Sequence, residues 1–269
     1  KRLMVDVSLT YLVLAHNSTE RVARLVDQLL AQDLSGRVII HFDKKSGEAP
    51  YQWLCERYHS QARCYVLPQR AYCGWGQWSL VDATLRMLRH AQSTCKTDYY
   101  YLMSEYCYPT QSLSALKSYL VENKGTNFIE CEDSRWIKGG IREDRYLYRH
   151  FLNKRNYPRL HRWTYKVQKW LGLKRKVPQD LTIRFGSQWW CLTQEAVAYV
   201  LEQEPIYRSF FKWVWIPDEC FFPSLLSGKK NSFKSLTLNF LDLSGKPIIF
   251  YEKEIDEVKD FCFFVRKVY

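Results

Sequence analysis

Pro217-Asp218-Glu219 sets two adjacent carboxylates behind the aromatic stretch Phe210 to Ile216 and at the head of a helical-looking run, Glu219 to Leu226. A carboxylate at the mouth of an apolar cleft has its charged form disfavoured, so its proton affinity rises toward that of a general base. The same tripeptide also describes an ordinary helix N-terminus, with proline in the first turn and two acids set against the dipole. Taken alone, it leaves both readings open. Upstream, Gly186-Ser187-Gln188-Trp189-Trp190 offers a hydroxyl and two aromatic faces. Glu130-Cys131-Glu132-Asp133 has the oxygen ligands a divalent cation takes, but it reads first as an acidic loop beside a basic segment, and no metal is expected there. The sequence has no P-loop, no GxGxxG after its first strand, no HExxH and no GxSxG, so those mechanisms lose support.

The elements that must position these groups alternate. Leu9 to Ala15 is a continuous apolar run and predicts a buried strand ending at His16-Asn17. Asn17 and Glu20 fit a capping box for the helix that follows, with Val22, Leu25, Val26, Leu29 and Leu30 on one face. Further strands are predicted at 38–42, 64–67, 99–103, 127–131 and 187–192, with helices over 80–91, 113–121 and from Gln194. This is an α/β pattern, a mostly parallel sheet with helices on both faces. Ligands bind beyond the carboxyl ends of such strands, which here means His16, Asp43, Ser104 to Tyr108 and Glu130 to Asp133.

The 269 residues carry a net charge of +12, from 40 Lys+Arg against 28 Asp+Glu. That excess suits an anionic partner: a diphosphate-bearing small molecule, an anionic membrane surface or a nucleic acid. It concentrates in an Arg/Lys/Tyr-rich segment from Arg135 to Lys176, read as a long, partly helical surface excursion, mobile until substrate binds. Phosphate contacts with aromatic stacking there would make a nucleic-acid-binding module, but no nucleic-acid motif accompanies it. A glycosidase using Asp218 or Glu219 with Glu130 is a third reading, predicting sugar release without nucleotide. Nine cysteines, an odd count without a CxxC pair, mostly sit in apolar runs and point to buried thiols in a reducing compartment. No stretch approaches the roughly 20 apolar residues of a membrane span. A chain beginning at Lys1 reads as an excised domain.

Eight blocks in order give the chain a recognisable spacing: Tyr11–Asn17, Ile40–Ser46, Trp75–Val81, Ser104–Pro109, Asn127–Glu130, Gly186–Trp190, Pro217–Glu219 and Phe264–Lys267. With them the sequence resembles the core-2/I-branching glycosyltransferases, a family that includes the peptide O-xylosyltransferases. The resemblance runs from about Tyr11 to Lys267. It implies a GT-A-like, Rossmann-type mixed sheet in a single domain. Residues 1–133 would be the nucleotide-sugar half, 134–180 the basic excursion and 181–269 the acceptor and catalytic half. It further implies transfer of N-acetylglucosamine or xylose from a UDP donor, with inversion and without metal or other cofactor. Glu219 then looks like the base, and Arg266 and Lys267 look like the cations that neutralise the departing diphosphate. Ala15, His16, Asp43, Trp75 and Ser187 are expected on the donor side. Glu130, Trp189, Trp190 and Asp218 are expected on the acceptor side.

Three departures from the family pattern stand out. Glu105 and Cys107 occupy the usual glycine and aspartate of a Ser-Gly-x-Asp-Tyr-Pro block, and Asn239-Phe240-Leu241-Asp242-Leu243 replaces an Arg-Tyr-x-Asp-Trp pattern. The short chain without extra cysteine-rich segments points to bacterial surface polysaccharide synthesis, with a glycan or lipid-linked saccharide as acceptor. The compartment is then the cytoplasm at the inner membrane, or the Golgi lumen for a eukaryotic source. Transfer to a protein serine is the sibling reading.

Overall fold

The computed structural model describes residues 6–239 and 246–269. Phe240 to Leu243, part of the third departure, lie outside them. The elements run β1 (Leu9–Ala15), α1 (Thr19–Gln32), β2 (Arg37–Phe42), α2 (Glu48–Tyr58), β3 (Cys64–Val66), α3 (Trp78–Thr94), β4 (Tyr99–Ser104), β5 (Tyr108–Pro109) and α4 (Leu113–Glu122). After them come α5 (Asp144–Leu147), α6 (Pro158–Trp170), β6 (Cys191–Thr193), α7 (Gln194–Phe211), α8 (Phe221–Leu225), β7 (Thr237–Asn239) and β8 (Phe264–Arg266).

The main sheet has the order β3-β2-β1-β4-β6. Its first four strands are parallel and β6 runs antiparallel to β4. This is the Rossmann-type mixed α/β sheet expected. β1 is buried along its whole length because both its faces are covered, which is why it reads as an unbroken apolar run rather than an alternating one. Leu9, Tyr11 and Val13 pack with Val22, Val26 and Leu29 of α1, while Leu12 and Leu14 pack with Val81, Leu85 and Leu88 of α3. A smaller sheet, β5-β8-β7, stands beyond the carboxyl end of β4 and brings the C-terminal strand against Tyr108.

The register sets the site. Ala15 lies beside Phe42, and Leu14 beside Ser104. His16, Asp43 and Glu105 therefore leave the sheet at one edge. The chain turns to opposite sides of β1 in reaching β2 and β4, the switch point where an open α/β sheet leaves a crevice.

Several boundaries differ from expectation. Ser18, not Asn17, caps α1, its hydroxyl accepting from the Arg21 N–H. Residues 127–131 form only bridges, Asn127 to Asn231 and Phe128 to Cys191, so no regular strand stands there. Pro217–Glu219 is a single 3-10 turn separate from α8 rather than the start of one helix. Helix α2 has no strong apolar periodicity, burying only Leu54 and Tyr58, and the sequence gives it no clear signal.

Candidate active site

Glu219 sits on the 3-10 turn that follows Ile216, whose φ of 56° is left-handed. A β-branched residue adopts that backbone only under constraint, at a cost of about 1–3 kcal/mol. Here the Ile216 N–H donates to the Gly76 carbonyl at 3.0 Å, and Pro217 fixes the next residue. The turn aims Glu219 at Arg145, whose Nη1 donates to Glu219 Oε2 at 2.8 Å. The Glu219 side chain remains 28% exposed while that of Arg145 is largely buried. Burial pushes the Glu219 carboxyl up from the ordinary glutamate range, Arg145 pulls it back down, and the nearby Glu130 charge adds a further push upward. Asp218 points inward, with one carboxylate oxygen buried and unpartnered. Desolvation, then repulsion from Glu219, pushes its pKa up to about 7. Both carboxyls therefore lie above the ordinary carboxylate range and titrate as one pair.

Glu130 lies near enough for its charge to act on Glu219. Its Oε2 accepts from the Ser187 N–H at 2.8 Å and from Trp136 Nε1 at 3.0 Å. Gly186 lies between the two main chains and donates its N–H to the Glu219 carbonyl at 2.9 Å. A Cβ at Gly186 would stand 2.2 Å from the Glu130 carbonyl oxygen, so only glycine allows this approach. Among the described residues no group of three or more His, Cys, Asp or Glu side chains is gathered as a metal ligand set, and Asp133 pairs with Arg135 instead.

A cationic cluster forms where β8 meets the end of β4. Arg266 Nε donates to Ser104 Oγ at 3.0 Å, and its guanidinium lies 4.8 Å from the centre of the Trp189 ring. Desolvation lowers the Arg266 pKa, offset by the surrounding Cys107, Glu105, Tyr106 and Tyr269. Lys267 Nζ rests 4.9 Å from the Tyr106 ring. Glu105 is fully buried, and its Oε1 accepts from the N–H groups of His16 at 3.1 Å and Asn17 at 3.0 Å, while Oε2 has no partner. The residue standing where the family has glycine thus occupies the two donors at the end of β1. His16 itself is exposed, with Nδ1 3.3 Å from the same carboxylate oxygen.

The third group ends β2. Asp43 is buried; its N–H donates to the Ala15 carbonyl at 2.8 Å, and its Oδ1 accepts from the N–H groups of Lys45 and Cys73. It therefore fastens the loop that carries Trp75. Trp75 is 41% exposed, packs edge-on to Trp215 at 5.3 Å, and carries the Arg155 guanidinium 3.9 Å from its ring centre. It is a part-exposed ring with a cation stacked on it, not a core plug.

Two expectations are corrected. Trp190 is fully buried and packs on Phe222 at 4.8 Å, so no sugar can reach its face; it is part of the core between the sheet and α8. Trp189 is nearly as buried, and its ring supports Arg266, which makes it part of the cationic cluster rather than an open platform. Ser187 lies beside Glu130, its Oγ accepting from the Trp189 N–H, which joins the acidic and cationic clusters through one short segment.

Arg145 and the role of Glu105 are the main residues that sequence reasoning missed. Arg145 lies within a basic stretch and looks solvated, yet α5 buries it. The signal was indirect: a buried cation requires an acidic partner, and Glu219 had none assigned. The segment read as a surface excursion also buries His150, Asn153, His161 and Gln168.

Comparison with known proteins identifies the family of the chain. Rat xylosyltransferase 2 is 26% identical over 236 residues, covering 82% of this chain and 24% of that protein. Human xylosyltransferase 2 is 28% identical over 214 residues, covering 74% and 22% respectively. The chain thus spans about a quarter of the length of the curated relatives it matches. Among solved structures, S. aureus TarS aligns over 53% of this chain and 24% of its own at 13% identity, with a TM-score of 0.35, too low to carry any argument. The family model described as Core-2/I-Branching enzyme matches residues 9–243, through Glu105, Glu130, Arg145 and Glu219 alike, and the chain belongs to that family.

Proposed function

We propose that this chain transfers a sugar from a UDP donor to a glycan hydroxyl, with inversion and without a metal ion, Glu219 acting as base. The observation that carries the reading is the environment of Glu219: one carboxylate oxygen is held by Arg145, and the other has no protein partner among the described residues on a part-exposed side chain. That is what a base must offer, an ionised oxygen turned to a hydroxyl and kept ionised by a fixed cation. The acceptor O–H gives its proton to Glu219 as its oxygen bonds to the anomeric carbon. The bond from that carbon to the donor's phosphate oxygen breaks, and UDP leaves with the electron pair. Negative charge then grows on the diphosphate, and Arg266 and Lys267 are the cations assigned to it. Because Glu105 already occupies the His16 and Asn17 N–H groups, those backbone donors are spent and the clamp rests on side chains. Asp43 and the exposed Trp75 face belong on the donor side in this reading, and Glu130 beside the acceptor. The named relatives are xylosyltransferases, so xylose is the first donor to try and N-acetylglucosamine the second. The work expected of the enzyme is bacterial surface polysaccharide synthesis at the cytoplasmic face of the membrane.

The test is calorimetric binding of UDP, UDP-xylose and UDP-N-acetylglucosamine in excess EDTA, followed by transfer assays with Glu219→Gln. Expected are binding of UDP without metal, preference for one sugar, and turnover lowered by about 10²–10⁴-fold in the variant with UDP affinity kept. Wild-type turnover by Glu219→Gln would remove the base assignment, and binding only with added manganese would remove the metal-free mechanism. Transfer to serine peptides in preference to saccharides would establish the sibling reading.

A further inference from the structure

Helix α6 is amphipathic, but it is turned the wrong way round for a helix of a water-soluble surface. At about 100° per residue, Trp163, Val167, Trp170, Leu160 and Leu171 fall on one arc of about 100°. Such a stripe normally faces the core. Here Trp163 is 61% and Trp170 84% exposed, and Leu160, Leu171 and Leu173 are about half exposed. The face turned to the protein is polar instead and is held by hydrogen bonds. His161 Nε2 lies 3.2 Å from His150 Nδ1, Gln168 bonds both the N–H and the carbonyl of Arg149, and the Tyr165 hydroxyl donates to Asp144.

The charge around this stripe is one-sided. From Arg145 to Gln179 there are eleven Lys and Arg and not one Asp or Glu, so this stretch carries all but one of the chain's net positive charges. Lys169 is paired with Asp144, whereas Arg159, Arg162 and Lys166, next to the apolar arc, have no acidic partner among the described residues.

We infer that α6 and the segment to Lys176 dock onto an anionic lipid surface, Trp163 and Trp170 entering the interface and the flanking cations meeting the headgroups. Tryptophan and leucine on one face with Lys and Arg beside it is the pattern of a helix that lies in the interfacial plane. At 13 residues α6 is too short to cross a bilayer, so its own contact lies in the interfacial plane. Charge complementarity selects the occupant. A second copy would press two strongly cationic segments together. A nucleic acid would neutralise the cations but leave the leucines without an apolar partner. A bilayer with acidic headgroups satisfies both arcs. The inference stands independently of the transfer reaction, because vesicle binding needs no nucleotide.

The experiment is co-sedimentation of the protein with vesicles of phosphatidylcholine alone and of phosphatidylcholine with about one-third phosphatidylglycerol. Binding is expected to the anionic vesicles only, weakened as salt rises to about 0.5 M. Trp163→Ser with Trp170→Ser should weaken it by about tenfold or more, circular dichroism and thermal midpoint staying as in the parent. Undiminished binding by the double variant would overturn the assignment, as would equal binding to both vesicle types or none to either. A parent dimer in lipid-free solution that becomes monomeric in the double variant would overturn it in favour of self-association. Displacement from vesicles by stoichiometric single-stranded RNA, but not by UDP, would overturn it in favour of nucleic acid.

Discussion

Arg145 and Glu219 are 74 positions apart and meet at 2.8 Å, the cation buried and the carboxylate partly open. The pair fixes the ionisation of Glu219, since burial alone raises its proton affinity and Arg145 is the largest influence that lowers it. Arg145→Gln should therefore move the acid limb of the kcat/KM profile to higher pH, by about one unit or more, and lower kcat at pH 6 more than at pH 8. An acid limb that stays in place would mean that Arg145 serves packing and not the charge state of Glu219.

Arg266 is held twice, by Ser104 Oγ and by the face of Trp189. A guanidinium satisfies both contacts at once and an ammonium does not. Arg266→Lys is expected to weaken UDP binding about tenfold, and Arg266→Ala by more, as the loss of charge-assisted hydrogen bonds of about 1.5–3 kcal/mol requires. Titration calorimetry with UDP reads this directly, and full retention of affinity by Arg266→Lys would place the diphosphate elsewhere.

Asp218 gives stability a pH dependence opposite to that of the buried histidines. Its pKa rises from about 3.9 in the unfolded chain to about 7 in the fold. The folded state therefore binds more protons between these values, and the contribution is lost as pH rises through about 7. His41 and His150 go the other way: burial lowers each to about 4. Against an unfolded value of about 6.5, their contribution is present above that pH and lost on acidification. The two slopes oppose each other in the parent. Asp218→Asn should unmask the histidines, losing about 1–3 kcal/mol more than the parent on going from pH 7.5 to 5. Urea unfolding at both pH values measures this, and equal losses in the two proteins would show that Asp218 is not protonated in the fold.

The tryptophans should separate cleanly. Trp190→Ala leaves a cavity against Phe222 and should cost about 3–5 kcal/mol of stability. Trp75→Ala removes a part-exposed ring and should lower the midpoint less than Trp190→Ala while raising KM for the donor. Thermal melts beside steady-state kinetics check both, and a stable Trp190→Ala protein with raised KM would reverse the correction made for that residue.

Much of the fold was legible because its signals are local. β1, β4, α1 and α3 are long and strongly patterned, and the strand ends that carry His16, Asp43 and Ser104 follow from them. The weaker elements were not. α2 lacks periodicity, and the segment at 127–131 is held by isolated bridges to Asn231 and Cys191 that only the tertiary structure supplies. Glu219, Glu130, Arg266 and Lys267 were named from motif order. Arg145 was not, because its partner lies across the fold, and Trp190 was misjudged because an aromatic's burial depends on the layer it meets. Its neighbour Trp189, two residues from Ser187, shows how little separates a core ring from one that carries a guanidinium.

The segment at 185–187 ties the Glu130 carboxylate to the backbone of Glu219. Phe185 and Glu132 exchange N–H and carbonyl at 2.8 Å, Gly186 holds the Glu219 carbonyl, and the Ser187 N–H holds the Glu130 carboxylate. Glu219 is thus placed by its backbone, whereas Glu130 is tied in through its side chain. A substitution at 130 would therefore release the Ser187 N–H while leaving the Gly186 bond that holds the backbone of Glu219. The two positions are thus open to change one at a time.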